Sequence, residues 1–166
     1  TDIYLYDLLS GTTSTPTEGM NGYDNDPCWS PDGKKLWWLS MEKAGYESDR
    51  NRLFQYTVET KQKTELLPTF DYSVDNLAWS DDSRSIVLTA AKNATKQIFI
   101  YDSFLKSAMP LRQVTTAQAD YNEITVAGTS KALSIIASRT DMTMPSELFN
   151  VNAQTGEAKM ITNTNP

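Results

Sequence analysis

The sequence predicts an all-β chain made of serial copies of one four-stranded antiparallel sheet, and three observations carry that expectation. The first is Pro27-Cys28-Trp29-Ser30-Pro31-Asp32-Gly33-Lys34-Lys35-Leu36-Trp37-Trp38-Leu39-Ser40, which reads as strand, tight turn, strand. In its turn, Pro31 presets φ, Asp32 bonds back to its own backbone and Gly33 takes a positive φ at no steric cost. Leu36 to Leu39 is too short for a helix and suits a strand buried on both faces. The second observation is recurrence. Asn76-Leu77-Ala78-Trp79-Ser80-Asp81-Asp82-Ser83-Arg84-Ser85-Ile86-Val87-Leu88 aligns with that motif and sets Trp79 about 50 positions after Trp29. The third is a strand pattern seen in Ile3-Tyr4-Leu5-Tyr6-Asp7, Leu53-Phe54-Gln55-Tyr56-Thr57, Ile98-Phe99-Ile100-Tyr101-Asp102 and Leu148-Phe149-Asn150-Val151-Asn152.

Taken in order, Ile3–Tyr6 and Thr13–Thr17 are two strands joined through Ser10-Gly11, and residues 20–26 are polar and turn-rich. The opening motif follows, then a loop Glu42–Asn51, a strand Arg52–Val58, a turn at Lys61-Gln62 and a strand Lys63–Leu67. The loop is the one stretch with room for a turn of helix. The second copy starts at Phe70 and supplies strands Gln97–Tyr101 and Leu111–Thr115. The third starts at Tyr121, where Val126 replaces the tryptophan and Gly128-Thr129-Ser130-Lys131 replaces the Asp-rich turn. Its later strands are Ala132–Ala137, Glu147–Val151 and Ala158–Thr162. Gly and Thr recur at one offset after the first and last strands of the shared pattern (Gly11 and Gly156, Thr17 and Thr162).

A period of about 45–50 residues with four strands per unit is the signature of a β-propeller blade. The expected architecture is a partial β-propeller of about three and a half four-stranded antiparallel blades. Residues 1–18 form the half blade, and 19–68, 69–117 and 118–164 form whole ones, all within one propeller fragment, 1–166. Propellers typically close with about four to eight blades. The chain is therefore expected to be a piece of a larger ring, completed by further sequence or associating with a copy of itself through open blade faces.

Composition narrows function further. Hydrophobic residues make up 39% and charged residues 22% of the 166, which is globular. A net charge of −6 and a pI near 4.6 argue against nucleic acid, which needs a basic face. No apolar run approaches the roughly 18 residues of a membrane helix, and Thr1 opens no signal-peptide pattern. Asp2–Tyr6 already reads as strand, so the start at Thr1 is not expected to be the natural one. Cys28 is the single cysteine and reads as a small strand hydrophobe. There is no histidine, which removes Ser-His-Asp and Cys-His chemistry and the commonest metal ligand. No cofactor is expected.

Two stretches go beyond a generic blade: Leu39-Ser40-Met41-Glu42-Lys43-Ala44-Gly45-Tyr46-Glu47-Ser48-Asp49-Arg50-Asn51-Arg52-Leu53-Phe54, and Ser138-Arg139-Thr140-Asp141-Met142-Thr143-Met144-Pro145-Ser146-Glu147-Leu148-Phe149. Both resemble the propeller domain of bacterial prolyl oligopeptidase family serine peptidases, in the dipeptidyl peptidase V and acylaminoacyl-peptidase-like branch. The Trp-Ser-Pro-Asp-Gly motif is shared with TolB-like propellers. The resemblance implies a parent enzyme that removes short N-terminal peptides, with an α/β-hydrolase domain bearing a Gly-x-Ser-x-Gly elbow and its Asp and His. This chain has neither elbow nor histidine. The implied role is that of a non-catalytic part that gates peptide entry beside its own C-terminal α/β-hydrolase domain, periplasmic or secreted. The alternative is a TolB-like scaffold for protein binding.

Blade geometry puts the turns at Ser30, Ser80, Gly11, Lys61 and Gly156 on one face. It puts the Glu42–Asn51 loop and residues 18–26, 68–75 and 116–122 on the other. In dipeptidyl peptidase relatives, acidic residues ahead of a blade's first strand hold the substrate's amino terminus, because a buried ammonium needs carboxylates. Here such places hold Asp24, Asp26, Asp71, Asp75, Asp120 and Glu123, and the long loop holds Glu42, Glu47 and Asp49. The paired-Glu motif of the dipeptidyl peptidase IV branch is absent. Glu42, Glu47, Asp49, Arg50, Asp71 and Asp75 are the candidate substrate-binding residues, set against a solvated rim or a bridge from Asp49 to Arg52. Trp37 and Trp38, on opposite strand faces, are expected to pack against neighbouring blades, and Trp29 and Trp79 to lie in inter-blade core. Asp24-Asn25-Asp26 lacks the Gly and distal Glu of a calcium loop. Asn93-Ala94-Thr95 is a glycosylation sequon.

Overall fold

The structure, a computed structural model, describes residues 1–104 and 110–164. The segment 105–109, inside the predicted blade 69–117, lies outside the described residues. Every regular element among them is a strand: β1 Leu5–Tyr6, β2 Thr13–Ser14, β3 Asp24–Trp29, β4 Lys35–Ser40, β5 Arg52–Thr57, β6 Gln62–Glu65, β7 Val74–Trp79, β8 Ser85–Lys92, β9 Thr95–Asp102, β10 Leu111–Gln113, β11 Asp120–Thr129, β12 Ala132–Asp141, β13 Met144–Asn152 and β14 Ala158–Met160. They form a two-stranded sheet β1-β2 and three four-stranded sheets, β3-β4-β5-β6, β7-β8-β9-β10 and β11-β12-β13-β14. The ladders are antiparallel, each strand beside its chain neighbour. The Glu42–Asn51 loop forms turns and bends but no helix, and among the described residues no helix is long and apolar enough to cross a membrane.

The repeated hairpin turn is built as its residues dictate. Ser30 Oγ donates to Asp32 Oδ1 at 2.6 Å and accepts the Lys35 amide at 2.9 Å, while the Gly33 amide donates to Ser30 O at 2.8 Å. The second copy repeats this with Ser80, Asp82 and Ser85 at 2.6 and 2.9 Å. Ser83 takes the left-handed conformation (φ 57°) that Gly33 takes in the first copy (φ 68°). A non-glycine residue bears a cost of about 1–2 kcal/mol there, which the surrounding turn must hold in place.

Where strands differ from expectation, side chains explain it. Residues 24–26, expected as turn, begin β3 and carry a β-bulge: the register shifts between Asn25 and Cys28, and Asp26 has φ 50°. Pro27, with no amide to donate, is tolerated at such an irregularity. The matching position of the third copy, Glu123 (φ 47°), bulges likewise. β12 and β13 extend past the expected Ala137 and Glu147 until Asp141 pairs with Met144.

A threonine fastens the outer strand of most copies. The amides of Ile3, Ile98 and Leu148 donate to the hydroxyls of Thr17, Thr115 and Thr162 at 3.1, 2.9 and 2.8 Å. This is the physical reason for the recurring Thr offset. The second sheet has Leu67 at that place and closes with the Leu66 amide on Leu53 O at 2.9 Å.

The chain divides into two compact units, Thr1–Val74 and the residues from Asp75 on. In the first, Ile3 of the two-stranded sheet packs with Leu36 and Trp38, flanked by Leu5, Met20, Phe54 and Tyr56. Trp38 is fully buried, stacks on Phe54 at 5.8 Å and donates from Nε1 to Asp24 Oδ1 at 3.1 Å. Trp37, on the other face, is also fully buried and donates to Gln55 Oε1 at 2.9 Å. Trp29 corrects one expectation: it is 46% exposed, whereas Trp79 is 8% exposed. Trp29 pairs with Leu36 at the end of β3, beside the turn.

In the second unit, Val87, Ile98 and Ile100 meet Tyr121, Ile135, Phe149 and Val151. The two turns of this unit are also tied together. The Gly128 amide donates to Asp81 Oδ2 at 2.8 Å, and Ser130 donates to Asp82 Oδ2 from its amide at 3.1 Å and its hydroxyl at 2.6 Å. Burial alone would raise the Asp82 carboxyl. The hydrogen bonds from Ser130, Ser80 and the Arg84 amide outweigh that and lower it from 3.8 to about 2. A depressed carboxyl stabilises the fold above its unfolded pKa and loses that contribution as pH falls through the folded value. Asp82→Asn is therefore expected to cost about 1 kcal/mol at neutral pH, discounted for its exposure. It should also flatten the fall in denaturation midpoint between pH 3.8 and about 2. An unchanged acid limb in the variant would reject this account.

Candidate functional site

The Glu42–Asn51 loop joins β4 to β5 and is organised by one carboxylate. Asp49 Oδ2 accepts the amides of Glu42 and Lys43, each at 2.9 Å, and Oδ1 accepts that of Arg50 at 2.9 Å. The backbone donors of Lys43, Arg50 and Glu42 hold this carboxyl below the usual range. The expected bridge from Asp49 to Arg52 is replaced by this arrangement. Arg52 Nη1 instead lies 3.9 Å from Glu42 and 3.8 Å from Glu65, and its guanidinium sits 5.2 Å over the Phe54 ring.

Arg50 ties the loop to the segment ahead of β7. Its Nη1 donates to Phe70 O at 2.5 Å and lies 3.6 Å from Asp71 Oδ1. The Asn51 amide donates to Ser73 Oγ at 3.1 Å. Glu42, Asp49, Arg50 and Asp71 are thus joined through one loop framework, with Glu42 and Asp71 exposed at 72% and 100% of their side-chain surface. Glu47 stands apart and lines a surface pocket of about 300 Å³ with Thr1, Tyr23, Asn25 and Met41. Asp75 belongs to the second unit, where it pairs with Lys96 at 3.1 Å. Both side chains of that pair are about 70% buried, so Asp75 carries its own counter-charge.

Asp24, one of the acidic residues the sequence sets ahead of a first strand, lies between Tyr23 and Asn25 of the pocket wall but not on the rim. Asp24 is 3% exposed. Burial raises its carboxyl above the usual range, against the Ser40 hydroxyl and Trp38 indole that favour the charged form. The signal was present in the repeat: the matching positions in the other copies are Val74 and Tyr121, both buried. Gly22, two residues earlier, lets the backbone approach Met41, because a Cβ there would sit 2.1 Å from the Met41 carbonyl oxygen. Among the described residues no group of three or more His, Cys, Asp or Glu side chains is arranged to hold a metal ion.

The arrangement offers exposed carboxylates on a braced loop beside a shallow pocket. It can attract a cationic or hydrogen-bond-donating group. It contains no nucleophile–base pair.

No family model matches the chain. It is 41% identical over 164 residues to dipeptidyl-peptidase 5 of Porphyromonas gingivalis, covering 99% of this chain and 23% of that protein. The chain therefore spans about a quarter of the length of the relative it matches. In fold it is similar to the β-propeller domain of the Trilobed protease from Pyrococcus furiosus (TM-score 0.69, 19% identity, 99% of this chain and 47% of that one). It is also similar to TolB from Acinetobacter baumannii (TM-score 0.65, 20% identity, 98% of this chain and 38% of that one). At such identities these likenesses show the fold alone. Sequence and fold together make this chain a stretch of β-propeller related to dipeptidyl-peptidase 5.

Proposed function

We propose that this chain is the substrate-gating propeller portion of a dipeptidyl-peptidase-like serine exopeptidase whose α/β-hydrolase chemistry lies outside these 166 residues. The observation that carries the reading is the 41% identity to dipeptidyl-peptidase 5 over nearly the whole chain. The absence of histidine fits a non-catalytic part. The partner is the parent's own hydrolase domain, the substrate is a peptide, and the compartment is periplasmic or secreted. Glu42, Glu47 and Asp71 supply carboxylates toward a peptide's amino terminus, while Asp49 and Arg50 are positioning residues that hold the loop; Asp75, paired with Lys96 in the second unit, is left out of this group. Tyr4 and Tyr6, 64% and 62% exposed, support association of the isolated chain with itself, which sedimentation at rising concentration checks.

The test is a chimera in which this chain replaces the matching 164 residues of the Porphyromonas relative. A folded chimera is expected to release dipeptides. Glu47→Gln in it should raise KM by up to about tenfold with little change in kcat, as for a lost ground-state contact. A folded chimera without activity would overturn the propeller assignment. An unchanged KM would overturn the role of Glu47 alone.

A further inference from the structure

We propose that Met142 is the first of the described methionines that hydroperoxides oxidise, and that the fold tolerates the change. Met142 sits at the tip of the β12–β13 hairpin and is fully exposed, at 101% of its reference surface. The tip keeps its shape without it. Asp141 Oδ1 accepts both the amide and the hydroxyl of Thr143, at 2.9 and 2.8 Å, and Thr140 Oγ1 donates to Met144 O at 3.1 Å. Arg139 Nη2 lies 3.5 Å from Asp141, closing the turn on its sheet side. The thioether therefore stands in water on a pinned scaffold.

The other described methionines are shielded to different degrees. Met20 packs on the core of the first unit and Met144 on that of the second. Met41 is half-buried, and Met160 is 42% exposed. In the reaction a sulfur lone pair attacks the peroxide O–O bond. An S–O bond forms, the O–O bond breaks, and the departing oxygen takes a proton to leave as water or an alcohol. Sulfur is oxidised by two electrons and the hydroperoxide is reduced by two. The product is a polar sulfoxide, disruptive where an apolar side chain is packed and harmless where it touches only solvent.

The experiment exposes the 166-residue chain to hydrogen peroxide, quenches at intervals and quantifies each methionine peptide by mass spectrometry, with circular dichroism in parallel. Met142 is expected to oxidise about tenfold faster than Met20 and Met144, with the thermal midpoint unchanged while it does so. Met142→Leu should remove the fast phase seen among the described methionines and leave the rates of Met20 and Met144 unchanged. Oxidation of Met20, Met144 or Met160 as fast as Met142 would overturn the proposal. So would a thermal midpoint that falls in step with Met142 oxidation.

Discussion

Trp38→Ala is expected to cost the first unit about 3–5 kcal/mol, among the largest losses a single change in that unit can cause. Three contributions meet at this side chain. Its ring is fully buried and anchors the cluster of Ile3 and Leu36. It stacks on Phe54, its partner across the β4–β5 ladder. Its indole nitrogen donates to Oδ1 of the buried Asp24 carboxyl. Alanine removes all three and leaves a cavity as well as a carboxylate short of a donor. Trp38→Phe separates them, because it keeps most of the apolar contact and loses only the donor, at about 1–3 kcal/mol. The readout is the denaturant midpoint together with hydrogen exchange of β4 and β5 amides, which isolates this unit from the other. Equal losses for the two variants would show that the Asp24 hydrogen bond, not packing, dominates.

Tyr121→Ala is expected to be as severe in the second unit, again about 3–5 kcal/mol. Tyr121 is 1% exposed and lies among Val87, Ile98, Ile135 and Phe149, where the unit's two four-stranded sheets meet. Arg139 lies 5.9 Å from its ring centre and 5.0 Å from that of Phe149, so its guanidinium spans two aromatic faces. Losing one ring removes a large buried area and half of that cation's setting. Tyr121→Phe keeps ring and cation contact and should cost under about 1 kcal/mol. Burial, opposed by the Arg139 charge, already raises the Tyr121 hydroxyl above its usual pKa, so it stays neutral and contributes no charge to lose. A Phe variant as damaged as the Ala variant would mean the hydroxyl, not the ring, holds the sheets together.

The repeat was legible because its parts act locally. Ser30-Pro31-Asp32-Gly33 builds its turn from its own side chains, and the Leu53-Phe54, Ile98-Phe99 and Leu148-Phe149 pattern marks strands by alternation. The Thr17 and Thr162 offset was visible as a repeat, but its cause, a hydroxyl taking a third-strand amide, needed coordinates. Less was legible at the site. Which carboxylates in Glu42–Asn51 stay free depends on the path of the backbone, because Asp49 is satisfied by the amides of Glu42, Lys43 and Arg50, seven, six and one residues away, rather than by a nearby cation. Trp29 and Trp79 each end the first strand of their copy yet differ in exposure, so position in the repeat alone could not give their burial. The burial of Asp24 could have been found by asking which copy breaks a buried column with a charge.

The last strand of each sheet is short: β2 has 2 residues, β6 has 4, and β10 and β14 have 3 each. A rim this brief offers an incoming chain only a handful of open amides, too few to seed a growing cross-β stack. Brevity thus protects that edge of each sheet against fibrillation, while the opposite edges, β3, β7 and β11, run 6, 6 and 10 residues.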